Sequence, residues 1–333
     1  MKLVRDLKDI RKPPPGTVLT IGNFDGVHLG HREIFRKVVR KARAIQGTAA
    51  VLTFEPHPLR LLAPDKAPPR INTPEEKVRL LEASCIDLLV VLAFNRQLAA
   101  MPAEAFVRDI LVDKLAVAEL VVGYDYAFGK DREGDLEFLQ ARAAQYGFRL
   151  ETLEPIRQSG EVYSSTRIRR ALQAGDVAEV VKVLGRNFTL DGRVVTGAGR
   201  GRNLGFPTAN LATDKELVPA QGVYAVKVKW RDRLYDGVVN IGTCPTFDGA
   251  GPTLEIHLID FRQDLYGETL RLYFVERLRA EQRFAGAEDL SAAIRADVER
   301  ARSLLEKREV VEYREYLASD RPGDPFPCGL EEQ

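Results

Sequence analysis

His28 and His31 stand three residues apart in Thr20–His31 (TIGNFDGVHLGH), directly behind an apolar run and a glycine turn. Val18, Leu19 and Ile21 read as the end of a buried strand; the turn follows at Gly22–Asn23, and Leu29, Ile34 and Phe35 open a helical period. The two imidazoles would then lie near a helix N-terminus on one face, because residues three apart are neighbours there. Free backbone N–H groups and the helix dipole favour an anion at that place. The imidazoles add donors, and Gly26 and Gly30 let the backbone come close. The chemistry this suits is the binding of nucleotide phosphates. Surface decoration is the commoner fate of a His-x-x-His pair. Two facts weigh against it. The chain has 4 histidines, two of them in this one turn, and the pair follows the first strand of an α/β pattern, where such folds bind ligands. A metal centre is disfavoured, since no Cys or His cluster supplies further ligands.

Three more constellations carry chemistry. Ser164-Ser165-Thr166-Arg167-Ile168-Arg169 sets three hydroxyls before a helix with two arginines. An ordinary N-cap explains one hydroxyl; three with two guanidinium groups suit the clamping of a polyphosphate. Gly197–Asn210 (GAGRGRNLGFPTAN) is a glycine-rich loop through Gly197, Gly199 and Gly201 that fits neither the dinucleotide fingerprint nor the Walker A pattern. Its last part is more telling: Thr208 and Asn210, two apart on an extended segment, point to the same side and could share one hard cation. Glu268, in Asp264-Leu265-Tyr266-Gly267-Glu268, sits at a turn into a strand. Alone it would read as a solvated carboxylate; beside a phosphate loop and a cation site it becomes a candidate general base for a hydroxyl nucleophile.

The elements that must position these residues change character along the chain. Strand-like runs at 17–21, 49–54, 88–92, 120–122 and 148–153 alternate with helical stretches near 29–46, 73–84, 102–114 and 134–147. This pattern predicts an α/β, Rossmann-like domain with a parallel sheet covered by helices on both faces. Thr73-Pro74-Glu75-Glu76 predicts a capping box with proline at the first helical position. A helical pair over 166–174 and 176–184 breaks at Gly175. Beyond Gly185, alternation in Tyr224–Trp230 and short runs at 194–196, 237–241, 254–258 and 270–274 predict a small antiparallel β-barrel or sandwich. Leu290, Ile294, Val298, Ala301 and Leu304 predict a closing C-terminal helix. The domain expectation is 1–184, 185–318 and a poorly ordered tail, 319–333.

Composition sets the outer limits. The 333 residues carry 49 Lys+Arg against 48 Asp+Glu, so no global field recruits nucleic acid or an acidic membrane surface. Cys85, Cys244 and Cys328 are odd in number and far apart, which argues against a disulfide framework and for a reducing compartment. The charged N-terminus has no apolar h-region, and the longest apolar run, Leu88–Phe94, is too short to span a bilayer. A cytoplasmic location is the expectation, and the sequence does not specify an oligomeric state.

Taken together, GNFDGVHLGH (22–31), FEPHP (54–58), GYDYAFG (123–129), SSTRIR (164–169), GFPTAN (205–210), GVVNIGTCPTF (237–247) and LYGE (265–268) resemble the bacterial bifunctional riboflavin kinase/FAD synthetase family across nearly the whole chain. The N-terminal half resembles the FMN adenylyltransferase (nucleotidyltransferase) module, related in its HxGH signature to class I aminoacyl-tRNA synthetases. The C-terminal half is similar to the riboflavin kinase barrel.

The resemblance implies roles. In the kinase, ATP would phosphorylate the ribityl 5′-hydroxyl of riboflavin, Glu268 would accept the proton, Thr208 and Asn210 would hold Mg²⁺, and the glycine loop would cover the phosphates. In the other module the FMN phosphate would attack the α-phosphorus of another ATP molecule, giving FAD and pyrophosphate. His28 and His31 would meet the phosphates on one side, with Ser164, Ser165, Thr166 and Arg169 on the other; Arg167 is the weaker candidate because the family varies there. Gly22, Asn23, Phe24 and Asp25 would line the ATP site, and Pro56, Pro58 and Phe128 would wall the flavin. Two departures stand out: Cys244 where the family commonly has arginine, and Asp125 where some members have asparagine. Rival readings are an enzyme that keeps one activity only, and a flavin-sensing or nucleic-acid-binding regulator that has kept the fold.

Overall fold

The computed structural model describes residues 1–158, 160–197, 205–243 and 252–312. It divides into two compact units, one holding Met1–Tyr163 and the other beginning at Ser164.

In the first unit the strands β1 (Lys2–Val4), β2 (Thr17–Ile21), β3 (Ala49–Glu55), β4 (Leu88–Ala93), β5 (Val117–Gly123) and β6 (Arg149–Leu153) form one sheet in the order β1-β4-β3-β2-β5-β6. All its pairings are parallel. Every residue of β2 is buried, as a strand covered on both faces must be. Leu19, Ile21, Leu52, Val90, Leu120 and Val122 share one core with Phe106, Ile110 and Leu139. Helix α1 (Leu29–Ala44) packs on β2 and β3 and buries Phe35, Val38 and Val39 outside that core, which puts it on the opposite face. Short helices α2 (Pro58–Leu62), α4 (Arg96–Ala99) and α5 (Ala103–Ala105) flank α3 (Pro74–Ala83), while α6 (Leu136–Tyr146) precedes β6. The capping box on α3 is formed, with reciprocal Thr73 and Glu76 bonds. The expected helix over 102–114 is α5 running into a π-helical segment, Phe106–Lys114, a distinction of hydrogen-bond register that apolar spacing does not carry. Strand order reverses between β2 and β5, so the loops at the carboxyl ends of these two strands flank the place where open α/β sheets take ligands. A two-stranded ribbon, β7 (Arg157–Gln158) and β8 (Glu161–Val162), closes the unit.

The second unit opens with α7 (Ser165–Ala174) and α8 (Val177–Leu184). Its strands β9 (Thr189–Val195), β10 (Ala209–Ala212), β11 (Gly222–Trp230), β12 (Arg233–Thr243), β13 (Pro252–Leu258) and β14 (Thr269–Arg279) close into an antiparallel barrel ordered β10-β13-β12-β11-β14-β9. Helix α9 (Ala287–Leu305) lays Val298, Ala301 and Leu305 against Val223, Ala225, Val238 and Leu278. The helical pair packs on this barrel: α8 lies against β14, Ala220 N–H bonds Leu172 O at 2.8 Å, and Arg277 Nη1 bonds Ala174 O at 3.1 Å. That packing is why contacts divide the chain after Tyr163, whereas the change of period in the sequence falls after Leu184.

Cys85 follows helix α3, while Cys244 and Cys328 lie outside the described residues. Among the described residues no helix is long and apolar enough to cross a membrane.

Candidate active sites

In the first unit the turn from β2 to α1 is bent hard. Phe24 and Val27 are non-glycine residues at φ 46° and 42°, and both are buried. A β-branched residue in that region costs of order 1–3 kcal/mol and persists only where its surroundings impose it. The result is that His28 becomes the N-cap of α1, extended rather than helical, and its Nδ1 accepts the His31 N–H at 3.3 Å. With Nδ1 accepting, the neutral ring carries its proton on Nε2, the atom left to donate. The two imidazoles stack, centroids 3.6 Å apart and planes 21° from parallel. Phe24 meets His31 edge-on at 5.2 Å and Phe35 at 5.0 Å, so it backs the histidine pair; at Gly22 a Cβ would press on the Phe24 ring.

Asp25 is buried, and its carboxylate accepts Ile71 N–H at 3.0 and 3.1 Å and Asn72 N–H at 3.2 Å. It clamps the segment entering α3 to the turn. Asn23 O accepts the Thr53 hydroxyl at 3.4 Å, while Asn23 Oδ1 is buried with no hydrogen-bond partner among the described residues. A buried acceptor left open in this way is what a ligand donor completes. Two residues that the sequence motifs do not include join this end of the sheet. Arg70 pairs with Glu55 at 2.9 Å. Lys77, on α3, has its ammonium pushed down by burial, against the nearby charges of Asp25 and Glu55. Spacing gives no sign of either: Glu55 stands 15 residues before Arg70, and Asp25 lies in a different connection from Lys77.

Of the expected flavin wall, Pro56 is exposed after the cis Glu55–Pro56 bond, and Pro58 opens α2 behind the cap His57, whose Nδ1 accepts Leu59 N–H at 3.2 Å. Phe128 belongs to the core, packed by Phe106, Tyr126 and Phe138 with centroids 5.3, 5.6 and 6.1 Å away. Asp125 is exposed in the loop after β5.

In the second unit Ser164 is the N-cap of α7, accepting Arg167 N–H at 3.2 Å. Ser165, Thr166 and Arg169 follow on its first turns. Arg167 is turned to Glu179 of α8, with Nε 2.7 Å from Oε1. Burial would raise the Glu179 carboxyl, but the Arg167 bond and charge hold it below the usual range.

On the barrel, Gly197 lies against the Asn210 side chain so closely that a Cβ there would overlap the amide. Asn210 is in β10, paired with Val195 and Glu255, and Thr208 stands just before that strand. His257 of β13 holds the same stretch, its Nδ1 2.9 Å from Pro207 O and its ring edge-on to Phe206 at 5.6 Å. Hydroxyl and amide oxygens at alternate positions, with room that only glycine leaves, fit a hard cation such as Mg²⁺. Gly199, Gly201 and Cys244 lie outside the described residues. Glu268 ends a tight turn in which Gly267, at φ 78°, donates to Val194 O at 3.0 Å. Trp230 Nε1 donates to Glu268 Oε2 at 2.9 Å and Arg231 Nη2 to Oε1 at 3.2 Å. These bonds hold the carboxyl below its ordinary range. No sequence signal connects Trp230, Arg231 or His257 with these sites; each meets its partner only through barrel closure.

Residues 10–167 match the FAD synthetase family and residues 184–305 the riboflavin kinase family. A bifunctional riboflavin kinase/FMN adenylyltransferase of Escherichia coli K12 is 41% identical over 92% of this chain and 98% of its own length. The chain belongs to the bifunctional riboflavin kinase/FMN adenylyltransferase family. A Pseudomonas fluorescens member is 42% identical over 91% of this chain and 98% of its own. A crystal structure titled a macrolide-efflux protein, from Streptococcus pneumoniae, superposes with a TM-score of 0.81 at 33% identity, over 90% of this chain and 98% of that one. Its likeness carries the whole fold, sheet and barrel together. Membership accounts for the order of the two matched regions along one chain.

Proposed function

We propose that this member of the bifunctional family phosphorylates riboflavin to FMN with ATP and then transfers the adenylyl group of another ATP to FMN, giving FAD and pyrophosphate. The observation that carries the reading is the presence, in one chain matched over 92% of its length by a bifunctional relative, of both the His28/His31 turn at the switch point and Thr208, Asn210 and Glu268 on the barrel. We assign adenylyl transfer to 1–184 and the kinase to 185–318, leaving 319–333 as a tail, with α7 and α8 packed on the barrel.

In the kinase, Glu268 takes the proton of the ribityl 5′-hydroxyl as its oxygen bonds the γ-phosphorus and ADP departs with the electrons of the broken P–O bond. Thr208 and Asn210 would hold Mg²⁺, which when bound neutralises phosphate charge. Gly197, Gly199 and Gly201 would let backbone approach the phosphates. In adenylyl transfer no base is required, because a phosphate monoester with second pKa about 6 is already largely a dianion at neutral pH. Its oxygen bonds the α-phosphorus, and pyrophosphate leaves with the α–β bridging electrons. Positioning and charge stabilisation then carry the rate. In the first unit His28 Nε2–H and His31 would donate to phosphate oxygens; phosphate contacts are also assigned to Ser164, Ser165, Thr166, Arg169 and, less centrally, Arg167 of the second unit. Gly22, Asn23, Phe24 and Asp25 form the adenosine end, Asn23 Oδ1 offering the open acceptor and Phe24 and Asp25 shaping the turn. Pro56 and Pro58 serve the flavin, and Phe128, buried in the core, shapes that wall from within. A cytoplasmic location accords with the use of two ATP, and nothing about the chain calls for a nucleic-acid or membrane partner.

The test is a pair of variants assayed separately for each product. Glu268→Ala should abolish FMN formation and leave conversion of supplied FMN to FAD nearly intact; His28→Ala should do the reverse and let FMN accumulate. Equal loss of both activities in either folded variant would contradict the two-site assignment.

A further inference from the structure

Glu268 is not a free surface carboxylate. It is gripped by the hairpin that joins β11 to β12, a two-residue turn in which Trp230 pairs with Arg233 and Arg231 takes φ 54°. An arginine in the left-handed region is uncommon, since this position of a hairpin ordinarily falls to asparagine, aspartate or glycine. The turn spends that conformational cost on placing two donors. Trp230 is 5% exposed, and its indole is fixed edge-on by Phe261 at 5.4 Å, with Tyr235 at 6.1 Å. The Arg231 guanidinium lies over the same indole, 4.5 Å from its centroid. An indole held in this way has one hydrogen-bonding atom, Nε1–H, and it is aimed at Glu268 Oε2. Arg231 takes the other oxygen while two-thirds exposed. Each carboxylate oxygen offers two lone-pair directions, so both bonds leave room to accept a proton.

We propose that Trp230 and Arg231 are positioning residues of the kinase, Trp230 fixing the orientation of the Glu268 carboxylate and Arg231 holding its other oxygen, so that the carboxylate faces the hydroxyl whose proton it takes. The proposal rests on the reading of Glu268 as the base. The two donors contribute unequally. The Trp230 bond is buried and rigid, and fixes direction. The Arg231 bond is exposed, so its charge is screened by salt and its share is smaller.

The experiment compares Trp230→Phe, Arg231→Ala and Glu268→Gln in the full chain, with kinase kcat and KM measured across pH and adenylyl transfer as the internal control for folding. Phenylalanine keeps a ring against Phe261 and removes only the donor. Trp230→Phe should lower kinase kcat about tenfold with little change in KM. It should also move the acid limb of the kcat profile upward by about half a unit to one unit, because the carboxylate loses a bond that favours its charged form. Arg231→Ala should move the limb the same way by less, and the difference should vanish in high salt. Glu268→Gln, which keeps an acceptor for Trp230 but cannot take the proton, should be inactive as a kinase. An inactive Glu268→Gln together with an unmoved acid limb in both other variants overturns the positioning role and leaves the base in place. An active Glu268→Gln overturns the base and this proposal with it. If Trp230→Phe fails to fold, the salt-dependent limb shift of the surface variant Arg231→Ala decides the matter alone.

Discussion

The Nδ1 of His28 accepts the backbone N–H of His31 at 3.3 Å while their rings stack 3.6 Å apart, so one histidine caps the helix and braces the other at the same time. The cap satisfies one of the N–H groups that a helix start leaves open. It also fixes which nitrogen of His28 remains a donor.

Capping and phosphate binding at this position can be separated. Asparagine at 28 keeps an acceptor for the cap and lacks the Nε2 donor. His28→Asn should therefore retain the thermal stability of the native chain yet lose about 10²–10³ in FAD formation, the usual cost of removing a transition-state donor. His28→Ala should lose the same activity and about 1 kcal/mol of stability besides. Retained FAD synthesis in His28→Asn would assign the histidine to the cap alone.

Asp25 is a buried clamp, and its removal strands the N–H groups of Ile71 and Asn72. Asp25→Ala should cost about 3 kcal/mol in the first unit. Under the proposed assignment of His28 and His31 to adenylyl transfer and of Glu268 to the kinase, thermal inactivation of the two activities is read separately. The adenylyl-transfer activity should fail at a lower temperature, with kinase inactivation unchanged.

Glu151 receives Lys37 and Lys41, the latter at 2.8 Å, and Lys41 also pairs with Glu119. Burial favours the neutral carboxyl, but the two lysine bonds and charges prevail and hold it below the ordinary value of 4.5. A carboxylate depressed in the folded state adds stability above its unfolded pKa and loses it as pH falls through the folded one. Glu151→Gln should be less stable than the native chain by about 1 kcal/mol at pH 7. The gap should close as pH drops below 4.5; a gap that persists in acid would remove the ion pairs as its cause.

A fragment beginning at Ser164 should fold and phosphorylate riboflavin, and it should be more stable than one beginning at Gly185. The shorter piece uncovers the barrel surface against which α8 packs, and it removes the backbone carbonyl partners of Ala220 and Arg277. Circular dichroism melts of the two fragments check the order.

What the sequence made legible follows from the range of the forces involved. The helices around His28, Thr73 and Ser164 carry their start signals within four residues, and the structure has them there. Strands β1 and β10 escaped, being three and four residues long with too few alternations to show a period. His28 lies three residues from His31 as expected, though through a cap rather than a helical face. The partners of Asp25 and Glu268 are 46 and 38 residues away along the chain, and such contacts exist only once sheet and barrel have closed. Motif resemblance points to Glu268; it gives no sign of what holds it.

The central claim is that one chain carries riboflavin through FMN to FAD. The direct measurement is incubation of the purified protein with riboflavin, Mg²⁺ and ATP labelled in its α-phosphate, with timed chromatography of the flavins. The account predicts unlabelled FMN first, then FAD carrying the label with pyrophosphate released in equal amount. Riboflavin recovered unchanged, or FMN that never takes up label when ATP is in excess, would contradict it.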